Sequence, residues 1–384
     1  MSVEPAPRPV RVAARWLRRT RLGGPYPSTS VETWECGDGV DGREAFTVHV
    51  TTGKALDVLG LKGTSLDEIR GYSRFLRKTA ARLYDRRGPA RKVAACPCCS
   101  ASTAEASPAA AIFGVSYKRC PVCGHVFVGA QPAPETLREV FTESEDRSAT
   151  YTDTERLELR LAQIVKPKLD WTIETYRRQY GREPRSVLDV GAGGGHFVAT
   201  CRRAGLDAEG YEVSRASRRF AQKAFGIDLR DEDFLADSDG PPVDVVTFWG
   251  LLEYTPGPRR FLEAGRRRLD THGLLITEVP RFDCLGSAVQ RECQETVARH
   301  LDPTSHVNCF SDESLVTALL RSALRPAAAW YFGMDAYELL VQVALRLEHD
   351  GVLERLADLI PSLQACFDAA RVCDDIIVAA VPSP

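Results

Sequence analysis

From residue 186 onward, short apolar runs alternate with amphipathic stretches. "SVLDVG", "DAEGYEV", "VDVVTFWG" and "GLLITEVP" read as buried strands, and the segments 195–204, 214–226, 258–269 and 311–323 between and after them as helices. This alternation predicts a parallel sheet with helices wound on both faces. "AAAWYFG" and "DIIVAAVPS" close the chain as two further strands, separated by a helical stretch over 336–372 that is longer than an ordinary connection. The first half is less regular. "AFTVHVTT" at 45–52 alternates like a strand. "SLDEIRGYSRFLRKTAARLYDRR" at 65–87 opens with Ser65 and Glu68 in capping-box spacing. It then places Ile69, Tyr72, Phe75, Leu76 and Leu83 at helical intervals. Residues 1–30 show little periodicity and are expected to be irregular. Residues 100–111 read as a loop, "PAPETLREVF" as a short helix, and 152–181 as one or two helices with Pro167 as a kink.

These patterns divide the chain into a basic accessory region at 1–92, a cysteine-bearing module at 93–130, a helical linker and lid at 131–185, and an α/β domain at 186–384 carrying the 336–372 insertion. The chain has 384 residues, 44% hydrophobic and 27% charged, and no apolar run of membrane-spanning length. The arginine-rich start has no apolar core of a secretion signal, so a cytoplasmic location is expected. The net charge of −2 hides an asymmetry. Residues 1–95 hold 18 Lys/Arg against 10 Asp/Glu, and the remainder 32 against 42. A basic segment of this kind suits an anionic partner or a face docked on the acidic remainder.

Five of the twelve cysteines cluster. Cys96 and Cys99 form one C-x2-C pair and Cys120 and Cys123 a second, about 20 residues later. Two such turns present four thiolates to one tetrahedral ion, and four protein ligands leave no open position, so a structural zinc is expected. Pro97 and Pro121 stiffen the turns and Gly124 lets the backbone fold past the ion. Cys98 is an additional thiol that could replace Cys99 as ligand. The module has few apolar residues, so its order should depend on the metal. The remaining cysteines read as buried free thiols.

"LDVGAGGGHF" raises the central question. The glycine turn follows the first strand of the α/β unit, where open sheets bind ligands. A dinucleotide would set its pyrophosphate there and prefers G-x-G-x-x-G, but His196 stands where the third glycine belongs. Asp189, two residues ahead, would repel a pyrophosphate. It suits a nucleoside with an ammonium and no phosphate, as S-adenosylmethionine is. Glu212 at the end of the next strand is placed to accept ribose hydroxyls. Asp233 and Phe234 follow the region of a third strand, and Trp249 with "TFWGLLEY" ends the fourth.

Taken together, "LDVGAGGG", "GYEVS", "DEDF", "VDVVTFWGLLEY" and "GLLITEVP" resemble the class I S-adenosylmethionine-dependent methyltransferases. The resemblance implies a Rossmann-like, doubly wound, mostly parallel sheet of seven strands whose last two form a hairpin. It places Asp189, Gly191 and Gly193 around the methionine part, Glu212 on the ribose, Asp233 on adenine with the Phe234 ring packed on it, and Trp249 along the cofactor. The cysteine module and "HLDPTSHVNCFSDESL" at 300–315 are similar to bacterial natural-product enzymes such as sugar C-methyltransferases. Where those often read "LEH", this chain has Glu253-Tyr254.

Methyl transfer needs a base only if the nucleophile must lose a proton. The candidates are His306, His300, Glu253 and Tyr254, with Asn308 and Glu278 behind them; Tyr151 could close over the cofactor, and His196 should point away from the chemistry. The expected acceptor is a small molecule, a secondary-metabolite or sugar intermediate. Nucleic acid is not expected as a partner, since the α/β domain is acidic and aromatics are not interleaved with the basic runs. The competing reading is an RNA methyltransferase using the zinc ribbon for substrate recognition. A third is a cofactor-binding protein without turnover. No membrane association is expected. The 336–372 insertion could serve as a lid or a homodimer contact.

Overall fold

A computed structural model describes residues 16–22, 28–37, 43–63, 65–84, 90–133, 136, 152–237, 240–293, 300–349 and 351–383. Most of the expected helix at 132–141, Tyr151 and residues 1–15 lie outside them. Strands β1 (Trp16–Leu22), β2 (Ser28–Gly37) and β3 (Arg43–Thr52) open the chain. The cysteine module contributes β4 (Arg91–Lys92), β5 (Ser107–Ile112), β6 (Val115–Arg119), β7 (Val126–Val128) and β8 (Ala130–Gln131). The α/β unit follows with β9 (Ser186–Val190), β10 (Asp207–Tyr211), β11 (Val243–Trp249), β12 (Leu269–Pro280), β13 (Asn308–Cys309), β14 (Leu324–Phe332) and β15 (Asp375–Pro382).

The main sheet runs β1-β2-β3-β14-β15-β12-β11-β9-β10. β10, β9, β11 and β12 are parallel, and β15 is antiparallel to both β12 and β14. The inner strands are buried along nearly their whole length, as expected of a sheet covered on both faces. Leu188, Val190, Val246 and Phe248 point to one face, with Leu262 and Leu315 from the helices Pro258–Arg267 and Asp312–Arg321. Val187, Val245, Leu274 and Ile276 point to the other, with Leu169 and Phe197 from the helices Lys166–Tyr180 and His196–Arg203. The doubly wound α/β architecture expected from the sequence is therefore present.

The strand count differs from seven in two places. Where a third strand was expected, the chain makes a single bridge, Tyr211 to Arg230. At the other edge, β3 pairs in parallel with β14, and β2 and β1 continue the sheet to nine strands. Residues 16–22 and 28–30, expected to be irregular, are thus strand. Part of the stretch read as a loop at 100–111 is strand too, as β5.

The linker preceding β9 shows why its helix has two parts. Pro167 has no N–H to donate to the carbonyl four residues back, and its ring crowds that carbonyl. The ladder widens into a π-turn over Leu161–Val165 and resumes as the helix Lys166–Tyr180, ending at Gly181 with φ +71. The segment between β14 and β15 is helical, as expected: Asp335–Leu347, Gly351–Arg355 and Ile360–Ala370.

Candidate active site

Strand order reverses at β9, with β10 on one side and β11 on the other, so the crevice beyond the carboxyl end of β9 is the topological binding position. Asp189 lies there, 1% exposed, on the face that also carries Thr247. Thr247 Oγ1 donates to Asp189 Oδ1 at 2.8 Å. Burial pushes this carboxyl up to about 7, opposed by the Thr247 bond and by the charge of Lys168. Among the described residues it has no direct cation partner and is held by one hydroxyl.

The glycine turn is locked by its own amides. The N–H groups of Gly191 and Ala192 both donate to Tyr211 O at 2.9 Å, and that of Gly195 donates to Ala192 O. The Gly193 N–H donates to Glu212 Oε2 at 2.8 Å, while Glu212 Oε1 accepts from Ser214 N–H at 2.6 Å. Four of the five amides at 191–195 are therefore engaged, and a pyrophosphate finds no cradle of free N–H groups. Gly191 has φ +77, and a Cβ there would stand 3.1 Å from Leu251 Cδ1. Gly191→Ala should cost about 1–2 kcal/mol of stability from the left-handed backbone, plus the Leu251 contact. Gly205, with φ +85 and open space around it, supplies the control: in urea denaturation Gly205→Ala should lose less than Gly191→Ala.

The structure brings most of the expected cofactor residues to one edge. Glu212 is 9% exposed and its carboxyl is raised by burial. Asp233 is exposed, with Oδ1 accepting from Leu235 N–H. Phe234 departs from expectation. Its ring is 3% exposed and packs among Tyr211, Phe248 and Phe261, so it supports the core instead of presenting a face to adenine. Trp249 stands T-shaped to Phe197, and its buried indole N–H has no partner among the described residues.

Beyond β11 and β12 lies a second group. Glu253 is 2% exposed with Oε2 unpartnered among the described residues, and burial, with Glu278 and Asp375 nearby, holds its carboxyl well above the usual range. His306 Nδ1–H donates to the carbonyl of His300 at 2.9 Å, and its ring lies 5.0 Å from that of Tyr254. His300 Nε2–H donates to Asp374 Oδ2 at 2.8 Å, which draws that ring toward the amino end of β15. Asn308 is a scaffold residue: it donates to the carbonyl of Thr255 at 2.6 Å and accepts from His125 Nε2–H at 3.0 Å. His196 packs against Phe220 and Phe225.

Two functional candidates were missed in the sequence. Lys168, inside the 152–181 helical segment, forms an ion pair with Glu278 and stands 4.8 Å over the Trp249 ring. Nothing in a helical pattern distinguishes it from a solvated lysine. The second, Lys54, is reached through strand pairing that no local pattern reveals.

The four cysteines converge. Cys96 and Cys123 sulfurs are 3.6 Å apart, as are those of Cys99 and Cys120, and all four ligand atoms lie within 4.8 Å of one another. Tetrahedral zinc with bonds of about 2.3 Å needs sulfurs about 3.8 Å apart, so the set fits the ion. Disulfides, at about 2.05 Å, do not fit. Val122 N–H donates to Cys120 Sγ at 3.4 Å, orienting the turn. Cys98 is buried outside the ligand set, and burial pushes its thiol up. The module's apolar residues Ile112, Tyr117 and Val126 pack on Phe282, Leu301 and Val307, so part of its core comes from the α/β unit.

Comparison with known proteins agrees with this geometry. Residues 162–325 match a methyltransferase domain family. A ubiquinone biosynthesis O-methyltransferase from Alkalilimnicola ehrlichii is 33% identical over 104 residues, 25% of this chain and 42% of that protein. One from Ralstonia nicotianae is 31% identical over 111 residues, 27% of this chain and 45% of that protein. The chain thus spans less than half the length of these relatives. Among solved structures, magnesium protoporphyrin IX methyltransferase from Synechocystis aligns over 65% of this chain and all of its own, at 14% identity and a TM-score of 0.44. Residues 162–325 are thus similar to a methyltransferase domain, set here in a wider sheet and joined to a four-cysteine module.

Proposed function

We propose that the protein transfers a methyl group from S-adenosylmethionine to a small-molecule acceptor, a secondary-metabolite or sugar intermediate. The observation that carries this reading is the pairing of buried Asp189 with a glycine turn whose amides are already engaged. The site offers a carboxylate for an ammonium, two Glu212 oxygens for vicinal hydroxyls and no cradle for phosphate. Among the described residues, the Asp233 carboxylate accepts only at Oδ1, which leaves Oδ2 for an exocyclic amine, and the Trp249 indole N–H is unspent. When bound, the cofactor supplies an electrophilic methyl on a sulfonium.

The chain's own work is positioning and exclusion of water. Asp189 and Gly191–Gly193 would fix the methionine end, and Glu212 the ribose. The methyl then faces the ground above β11 and β12, bordered by Glu253, Tyr254, His306 and Glu278. The unpartnered Glu253 oxygen and the Tyr254–His306 pair are groups that hold or accept a proton from an acceptor there. His300, tied to Asp374, positions His306 through its carbonyl. The curated relatives, both O-methyltransferases of ubiquinone biosynthesis, support a small-molecule acceptor over RNA.

Calorimetry should show micromolar binding of S-adenosylmethionine and of its demethylated product, and none of NAD. Labelled methyl should pass into small-molecule fractions of a metabolite extract. Tight NAD binding, or label recovered only in RNA with binding that collapses between 50 and 200 mM salt, would sink the reading.

A further inference from the structure

The accessory region places one residue on the active edge. Because β3 is parallel to β14, and β14 runs in the direction of β12, the carboxyl end of β3 shares an edge with those of β9, β11 and β12. The turn beyond it is fastened on both sides. The Gly53 N–H donates to Tyr331 O at 2.7 Å, the Gly53 carbonyl accepts from Trp330 Nε1–H at 2.9 Å, and Gly53 holds φ +95. Thr51 Oγ1 accepts from Trp171 Nε1–H, and the Asp57 N–H donates to Gln163 Oε1 at 2.7 Å. The segment 51–57 is thereby clamped between β14 and the helical linker, and Lys54 is directed inward.

Lys54 is 7% exposed. Its Nζ stands 4.5 Å over the ring of Phe332 and 5.4 Å over that of Trp330. Among the described residues no carboxylate pairs with it. The charged groups that face it are Lys168 on the linker helix, Glu278 on β12 and Asp375 on β15, and Glu278 already belongs to Lys168. Burial first, and Lys168 second, pull its ammonium down to about 7, against the pull of Glu278 and Asp375. A lysine kept for charge would have a carboxylate beside it; this one is kept where the neutral amine is accessible at ordinary pH.

We propose that Lys54 is a further catalytic residue, the amine that receives the proton of the acceptor's nucleophilic atom. This rests on the methyl-transfer reading. As the nucleophile's lone pair forms the bond to the methyl carbon, the carbon–sulfur bond breaks and its electrons return to sulfur as a neutral thioether. The nucleophile's proton passes to Lys54 Nζ, and the resulting ammonium returns it to water when product leaves. Acceptors of this class carry a weakly acidic O–H, N–H or activated C–H.

Carbon-13 labelling of lysine side chains tests the amine directly in the full-length zinc-bound protein. The resonance missing from Lys54→Met should titrate near pH 7; titration of that resonance near the ordinary amine value of about 10.4 overturns the proposal. Labelled-methyl transfer into a metabolite extract should rise through pH 7 in the wild type. It should fall at least 100-fold in Lys54→Met and in Lys54→Arg, with S-adenosylmethionine affinity unchanged. A variant that keeps the wild-type rate and pH limb overturns the role of Lys54 alone. A wild-type protein that binds no donor overturns the underlying reading, and with it this one.

Discussion

Asp189→Asn should weaken S-adenosylmethionine binding about 100-fold while leaving the fold intact or slightly more stable. The two effects have one origin. A carboxylate at 1% exposure with a single hydroxyl donor is costly to ionise, and that cost shows as a carboxyl raised to about 7. An amide of the same shape keeps the Thr247 bond without the charge. The missing ion pair with the donor's ammonium is worth about 2.7 kcal/mol at a 100-fold loss. The pH dependence has a fixed sign. Asp189 is ionised above about 7, so wild-type affinity should be full there and decline as pH falls through that value. On the alkaline side the donor's own amine loses its proton, ordinarily near 8, so affinity should peak between the two. Asp189→Asn should lose the acidic limb and keep the alkaline one. Calorimetry from pH 5.5 to 9 decides it: an acidic limb that persists in the variant would assign it elsewhere.

That prediction concerns a part of the molecule that was plain in the sequence, and the reason is physical. β9, β11 and the second half of β12 are buried on both faces, so their residues are mostly apolar. Asp189 stands out because it interrupts an apolar run. The cysteine pairs were equally legible because one ion fixes their spacing. β2 was not, because its inward face is Ser28, Ser30, Glu32, Trp34 and Cys36. Glu32 is buried by accepting from Ser30 and Trp34 and by pairing with Arg371, a residue 339 positions away, so the alternation is there but not in hydrophobicity. β5 was hidden by its composition, Ser-Pro-Ala-Ala-Ala-Ile, which has low strand propensity and survives through pairing with β6. The same limit concealed Lys54. Its place on the active edge follows from β3 joining β14, a pairing between segments some 280 residues apart. Phe234 was misassigned because "DF" gives the position of a ring but not the side of the sheet it enters.

The second large effect is metal removal, and it should reach the acceptor side without touching the cofactor side. β13, Asn308–Cys309, is held by β7 of the cysteine module. Around that ladder, the Val128 N–H donates to Val307 O at 2.9 Å and Tyr117 OH to the carbonyl of His306 at 3.0 Å. His125 bridges to Asn308. The loop bearing His300 and His306 is therefore anchored to a module whose two cysteine turns converge at the four sulfurs. Zinc at such sites contributes on the order of 10 kcal/mol to folding, more than the module's borrowed core can replace. Stripping the metal with a mercurial reagent and chelator, or substituting Cys120→Ser, should release one zinc per chain. Hydrogen exchange should then lose protection over 93–131 and 300–310 by several orders of magnitude, with β9 to β12 still protected. Donor affinity should hold within a few-fold while methyl transfer is lost. Protection of 300–310 unchanged after the zinc has left would show that the loop stands without the module. Loss of donor affinity in step with the metal would show that the two sides are one cooperative unit.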